Sequence, residues 1–88
     1  MQWDYTELFY ALADGRWTVG LNQFTAAGVA GSFPYEREGE AAKAEAIAEY
    51  HRQILQLGGE GWEMISATPY QHGGDTVAWH LWFKRPRV

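Results

Sequence analysis

Leu57-Gly58-Gly59-Glu60-Gly61-Trp62-Glu63-Met64-Ile65 is where a helical pattern stops at a cluster of glycines and an apolar strand begins at once. A glycine at position 58 or 59 takes the left-handed conformation that closes a helix, and Gly61 lets the chain turn before Trp62 enters a sheet. On the N-terminal side of this junction, residues 40–57 are dominated by alanine, glutamate, lysine, arginine and glutamine, all strong helix formers. Ile47, Tyr50, Ile54 and Leu57 recur at helical spacing and make one apolar stripe. Acidic residues come early and Arg52 late, as the helix dipole favours.

Outward from the helix, both ends of the chain read as hairpins. Residues 3–12 are mostly aromatic and aliphatic, and Asp14-Gly15 suits the positive φ angles of a two-residue turn. That turn sets Ala13 opposite Arg16, and then Leu12 opposite Trp17, Tyr10 opposite Val19 and Leu8 opposite Leu21. Side chains alternate along a strand, so these last six share one side, the expected core face. Trp3, Tyr5, Glu7, Phe9, Thr18 and Gly20 share the other. After the junction, residues 62–68 and 76–84 read as a second hairpin, in which Val77, Trp79, Leu81 and Phe83 share one face while Ala78, His80 and Trp82 share the other. Residues 25–39 mix glycines, a proline and alanines without a sustained period, which reads as a long loop whose bulky part is Phe33-Pro34-Tyr35. The expectation is a single α+β domain over residues 1–88, arranged ββαββ: a mostly antiparallel four-stranded sheet with one helix packed on one face.

Eighty-eight residues bury a smaller fraction of their surface than a longer chain does, so the core must be rich. Five Trp, five Tyr and four Phe exceed what one thin core needs, and a sheet backed by one helix ordinarily keeps its second side polar. Here the second side is aromatic too, which points to a partner. The net charge of −4 argues against indiscriminate binding to nucleic acid or anionic membranes, although Lys84, Arg85 and Arg87 gather near the C-terminus. Without cysteine there is neither disulfide nor thiolate chemistry. The opening residues do not read as a signal peptide and no stretch approaches a spanning helix, so the expected location is the cytoplasm.

Trp3-Asp4-Tyr5, the 57–65 junction and Phe83-Lys84-Arg85-Pro86 together resemble the bacterial domain-of-unknown-function family 4177, whose hallmark is a Gly-x-Glu-Gly-Trp-Glu junction. The resemblance covers the first strand and the second half of the chain. Residues 22–39 are longer than that pattern expects, and Leu55 stands where an asparagine is common. The family lends a fold and no activity.

Chemistry-bearing residues are sparse. His51, His72 and His80 lie on a helix, a hairpin loop and a strand without a paired ligand spacing, so no metal or other cofactor is expected. Glu60 and Glu63 bracket the junction, where a turn-stabilising role is the simpler one. Gly58-Gly59-Glu60-Gly61 has the wrong order for a phosphate loop, since phosphate-binding glycines follow a strand and open a helix. The expected function is therefore a non-enzymatic interaction or self-associating module, a homodimer or a complex with another protein, contacting through Trp3, Tyr5, Phe9, His80 and Trp82. The alternative is a pocket between the sheet and the 25–39 loop, lined by Phe33, Tyr35, Glu63 and His80, for a small apolar or aromatic ligand.

Overall fold

A computed structural model describes residues 2–13, 15–72 and 75–87, with the side chains of 13, 70–72 and 75–77 set aside. Strands β1 (Trp3–Ala13), β2 (Arg16–Thr25) and β3 (Gly28–Glu38) form a meander, helix α1 (Ala42–Gly59) follows, and β4 (Glu63–His72) and β5 (Asp75–Pro86) form a hairpin. One antiparallel sheet results, in the order β3-β2-β1-β5-β4. The arrangement is βββαββ with five strands, which corrects the expected four-stranded ββαββ.

The extra strand is the segment that reads as a loop. β3 is an edge strand, exposed along almost its whole length, so no buried face imposes an apolar alternation on it. Its phase also breaks: Val19 pairs with Tyr35 but Leu21 with Ser32, so Phe33 and Pro34 together oppose Gly20 in a bulge. An edge bulge is where a proline, which has no N–H to donate, fits a sheet.

The first hairpin has the expected register, with Ala13 opposite Arg16, Leu12 opposite Trp17, Tyr10 opposite Val19 and Leu8 opposite Leu21. Asp14 of its turn lies outside the described residues, as do Gly73 and Gly74 in the second hairpin. β5 lies beside β1, with Leu8 opposite Leu81, Tyr10 opposite Trp79 and Thr6 opposite Phe83. This places Trp79, Leu81 and Phe83 on the same side as the helix, where they join Leu8, Val19, Ala46, Tyr50, Leu57 and Trp62 in the core. The buried helical stripe is Ala42, Ala46, Tyr50, Gln53 and Leu57, with Ile47 and Ile54 only half-buried. It is turned slightly from the expected one, with Ala42 and Ala46 buried where Ile47 and Ile54 are not.

Helix α1 runs from one sheet edge, β3, to the other, β4. Eighteen residues extend about 27 Å, and edge strands of a five-stranded sheet lie about 19 Å apart, so the helix is long enough to span the sheet. The junction that ends the helix is a Schellman motif: Trp62 N donates to Leu57 O at 3.0 Å and Gly61 N to Gly58 O at 3.1 Å. Leu57 and Trp62, the residues whose apolar contact accompanies this motif, are both buried in the core. Gly61 carries the positive φ, +88°, whereas Gly58 and Gly59 are helical, so the closing glycine is Gly61 and not either of the two before it. Arg85 finishes the corner, its guanidinium 4.3 Å from the centre of the Trp62 ring and its Nη1 donating to Glu60 O.

Candidate interaction surface

The side of the sheet away from α1 is built by the alternation that builds the core. Because Leu8 and Leu81 face the helix, Glu7 and Trp82, paired in register, face away, as do Phe9 and His80, and Tyr5 and Lys84. From β2 the same side receives Gly20 opposite Phe9, Asn22 opposite Glu7 and Phe24 opposite Tyr5. The five expected contact residues Trp3, Tyr5, Phe9, His80 and Trp82 therefore share this face. Asn22 and Phe24 belong to it as well. Continuing the alternation of the first hairpin from Gly20 by two more positions on that side would have found them.

The rings pack against each other. Phe24 from β2 and Trp82 from β5 stack at 5.7 Å, reaching toward one another across β1. Phe9 and His80 stack at 5.4 Å. Gly20 is what lets Phe9 lie flat, because a Cβ at that position would stand 2.3 Å from Phe9 Cζ. Lys84 Nζ sits 4.3 Å from the centre of the Trp3 ring, a cation–π contact that leaves its charge at one end of the patch.

At the centre is one polar cluster. Glu7 Oε1 accepts from Asn22 Nδ2 at 3.0 Å, and Glu7 Oε2 lies 3.1 Å from His80 Nδ1. The Glu7 side chain keeps 19% of its exposure and the His80 side chain 37%, so the pair is sheltered by its aromatic neighbours but still wet. The carboxylate fixes the imidazole ring, and Asn22 fixes the carboxylate. This face thus combines aromatic area and an internally bonded polar centre, with Arg16, Glu36 and Glu38 at the β2–β3 end and Glu63 of β4 opposite Lys84.

The residues expected to line a ligand pocket do not converge. Phe33 and Tyr35 are on β3 and Glu63 is on β4, at opposite edges of the sheet. Tyr35 points to the helix side, its hydroxyl 3.3 Å from Ala42 O and 3.1 Å from Glu45 Oε1, whereas His80 is on the other side. Phe33 is 66% exposed. Most of the 25–39 segment, expected as a loop beside that pocket, is the edge strand itself. A cleft of about 290 Å³ does exist, lined by Leu21, Gln23, Ala30, Gly31 and Ser32 of β2 and β3, and none of the four expected residues lines it.

Among the described residues no three His, Cys, Asp or Glu gather as metal ligands. His51 is exposed on α1, His80 is paired with Glu7, and the His72 side chain lies outside the described set. Glu60 is at the helix C-terminus and Glu63, also exposed, pairs in register with Lys84. No helix among the described residues is long and apolar enough to cross a membrane. Compared with models of known families the chain matches none, and no curated protein matches it.

Proposed function

We propose that the protein is a non-enzymatic self-association module, a homodimer in which two copies pack the sheet faces that carry Phe9, Phe24, His80 and Trp82 against each other. The observation that carries this reading is the aromatic face itself, which no element covers among the described residues. Its size suits a dimer. Five strands about 4.8 Å apart and about 3.3 Å long per residue give a face of about 24 by 33 Å, or about 800 Å², close to what each partner of a stable pair buries. Its charges are largely matched within the face: Glu7 by His80 and Asn22, Glu36 and Glu38 by Arg16, and Glu63 in register with Lys84.

The sheet edges are poor alternatives. β3 carries Pro34 and a bulge, and β4 carries Pro69 and a bulge at Ile65, both devices that blunt strand-to-strand pairing. Kinship with domain-of-unknown-function family 4177 belongs to the same proposal. It is supported by the junction, where Gly61 and Trp62 hold the geometry a Gly-x-Glu-Gly-Trp-Glu sequence suits. A cytoplasmic location fits a chain without cysteine.

Sedimentation velocity on wild type and Trp82→Glu, with circular dichroism as the folding control, tests the reading. Trp82 is half-buried and outside the core, so the variant folds, while a carboxylate set into an apolar contact raises the dimer Kd at least thirtyfold, equivalent to about 2 kcal/mol. A wild type that stays monomeric at high micromolar concentration overturns the proposal.

A further inference from the structure

We infer that dimerisation is coupled to proton uptake at the Glu7–His80 pair, so that the assembly tightens as the pH falls through the range in which histidine titrates; the inference rests on the dimer proposed above. The pair sits in the middle of the face, His80 Nδ1 3.1 Å from Glu7 Oε2, with Asn22 on the other carboxylate oxygen. Residual exposure of both side chains is what a second copy would remove. With a neutral imidazole, Nδ1–H still donates to the carboxylate, but the cluster keeps one net negative charge. With an imidazolium the cluster is neutral. Moving a net charge out of water costs far more than moving a hydrogen-bonded neutral pair. A two-fold dimer also brings two such clusters into one interface, where two negative charges repel.

Among the described residues no cation other than His80 pairs with Glu7. From β1, Glu7 is the charged group facing His80, and Phe9 stacks on its ring. From β4, its register partner is Thr68, which does not titrate in this range, and Glu63 lies farther along opposite Lys84. On β5 itself, Lys84 keeps its charge on the same face, but its Nζ lies over the Trp3 ring and not in a pair with Glu7. From β2 and β3, Arg16 is held by Glu36 and Glu38 at 2.8 and 2.9 Å. The Tyr70 side chain is outside the described set, and α1 is on the other side of the sheet.

The sign follows from linkage. A dimer that holds its imidazoles protonated binds more protons than its separated chains, so association is strongest below the histidine range and weakens as pH rises through it. Two protons per dimer set a ceiling of about a hundredfold change in Kd per pH unit. Acidification also reduces the general repulsion between chains of net charge −4, and variants separate that background from the pair.

The experiment measures the dimer Kd by sedimentation from about pH 5.5 to about pH 8 for wild type, His80→Gln and Glu7→Gln. Wild type is expected to weaken at least tenfold across the range. His80→Gln, whose amide still donates to Glu7, retains only the shallow background. Glu7→Gln inverts the dependence, because the protonated imidazole is then the uncompensated charge. If His80→Gln folds but does not pair, the inversion in Glu7→Gln decides alone. A wild-type dimer with a flat profile, a His80→Gln variant as pH-sensitive as wild type, or no inversion in Glu7→Gln overturns the proton coupling while leaving the dimer standing. A wild type that is monomeric at every pH removes the dimer itself.

Discussion

Gly58, Gly59 and Gly61 stand close together in the sequence and answer to opposite demands. Gly58 and Gly59 are helical with open space around the Cβ position, so alanine at either reduces the freedom of the unfolded chain without a clash. Each such change is expected to stabilise by about 0.5–1 kcal/mol. Gly61 sits at φ +88°, where a side chain crowds its own carbonyl, and alanine there is expected to cost about 1 kcal/mol or more. Thermal melts of the three alanine variants should therefore move in opposite directions, and equal shifts would contradict the Schellman assignment. Tyr50 supplies a second test at this scale. Its hydroxyl is buried without a hydrogen-bond partner among the described residues, and burial pushes the phenol well above its ordinary range. Tyr50→Phe removes the unsatisfied group and should raise stability by up to about 1 kcal/mol, a few degrees in Tm. The unfolded chain ionises this tyrosine near pH 10 while the folded chain keeps it protonated, so stability falls as pH rises above that point. The variant should lose part of this alkaline decline. Tyr10, raised in the same direction by burial, retains a share of it.

At the scale of elements, the pairing of β1 with β2 sets Gly20 opposite Phe9 as a seat for its ring. Alanine there meets the far end of that ring, so Gly20→Ala should swing Phe9 outward, break its stack with His80 and weaken the dimer more than the fold. Equilibrium unfolding and sedimentation on the same variant check both halves, and an unchanged Kd would detach Phe9 from the contact. The elements differed in how plainly the sequence announced them. β1 and β2 were legible because Asp14-Gly15 fixes a turn and two buried residues, Leu8 and Val19, sit in phase with it. α1 was legible from composition, although Ala46 and Gln53 carry more of its buried face than Ile47 and Ile54. β3 was not legible. A strand pressed against nothing on its outer edge, with a bulge at Phe33 and Pro34, has no reason to alternate, and periodicity cannot find it.

For the molecule as a whole, the sheet is a plate with one side roofed by a helix and the other left aromatic. The face was legible because alternation in two hairpins assigns Trp3, Tyr5, Phe9, His80 and Trp82 to one side once the core side is known. The polar centre was not, because no sequence rule joins Glu7 to His80. Only the pairing of β1 with β5, at opposite ends of the chain, brings them together. The pairing of two such faces is the central claim, and it is tested most directly by isotope-filtered NMR on an equimolar mixture of labelled and unlabelled protein, which detects only contacts between copies. The account predicts intermolecular contacts from the ring protons of Phe9, Phe24 and Trp82. Contacts confined to β3 or β4, or none at concentrations where the protein sediments as a dimer, would contradict it.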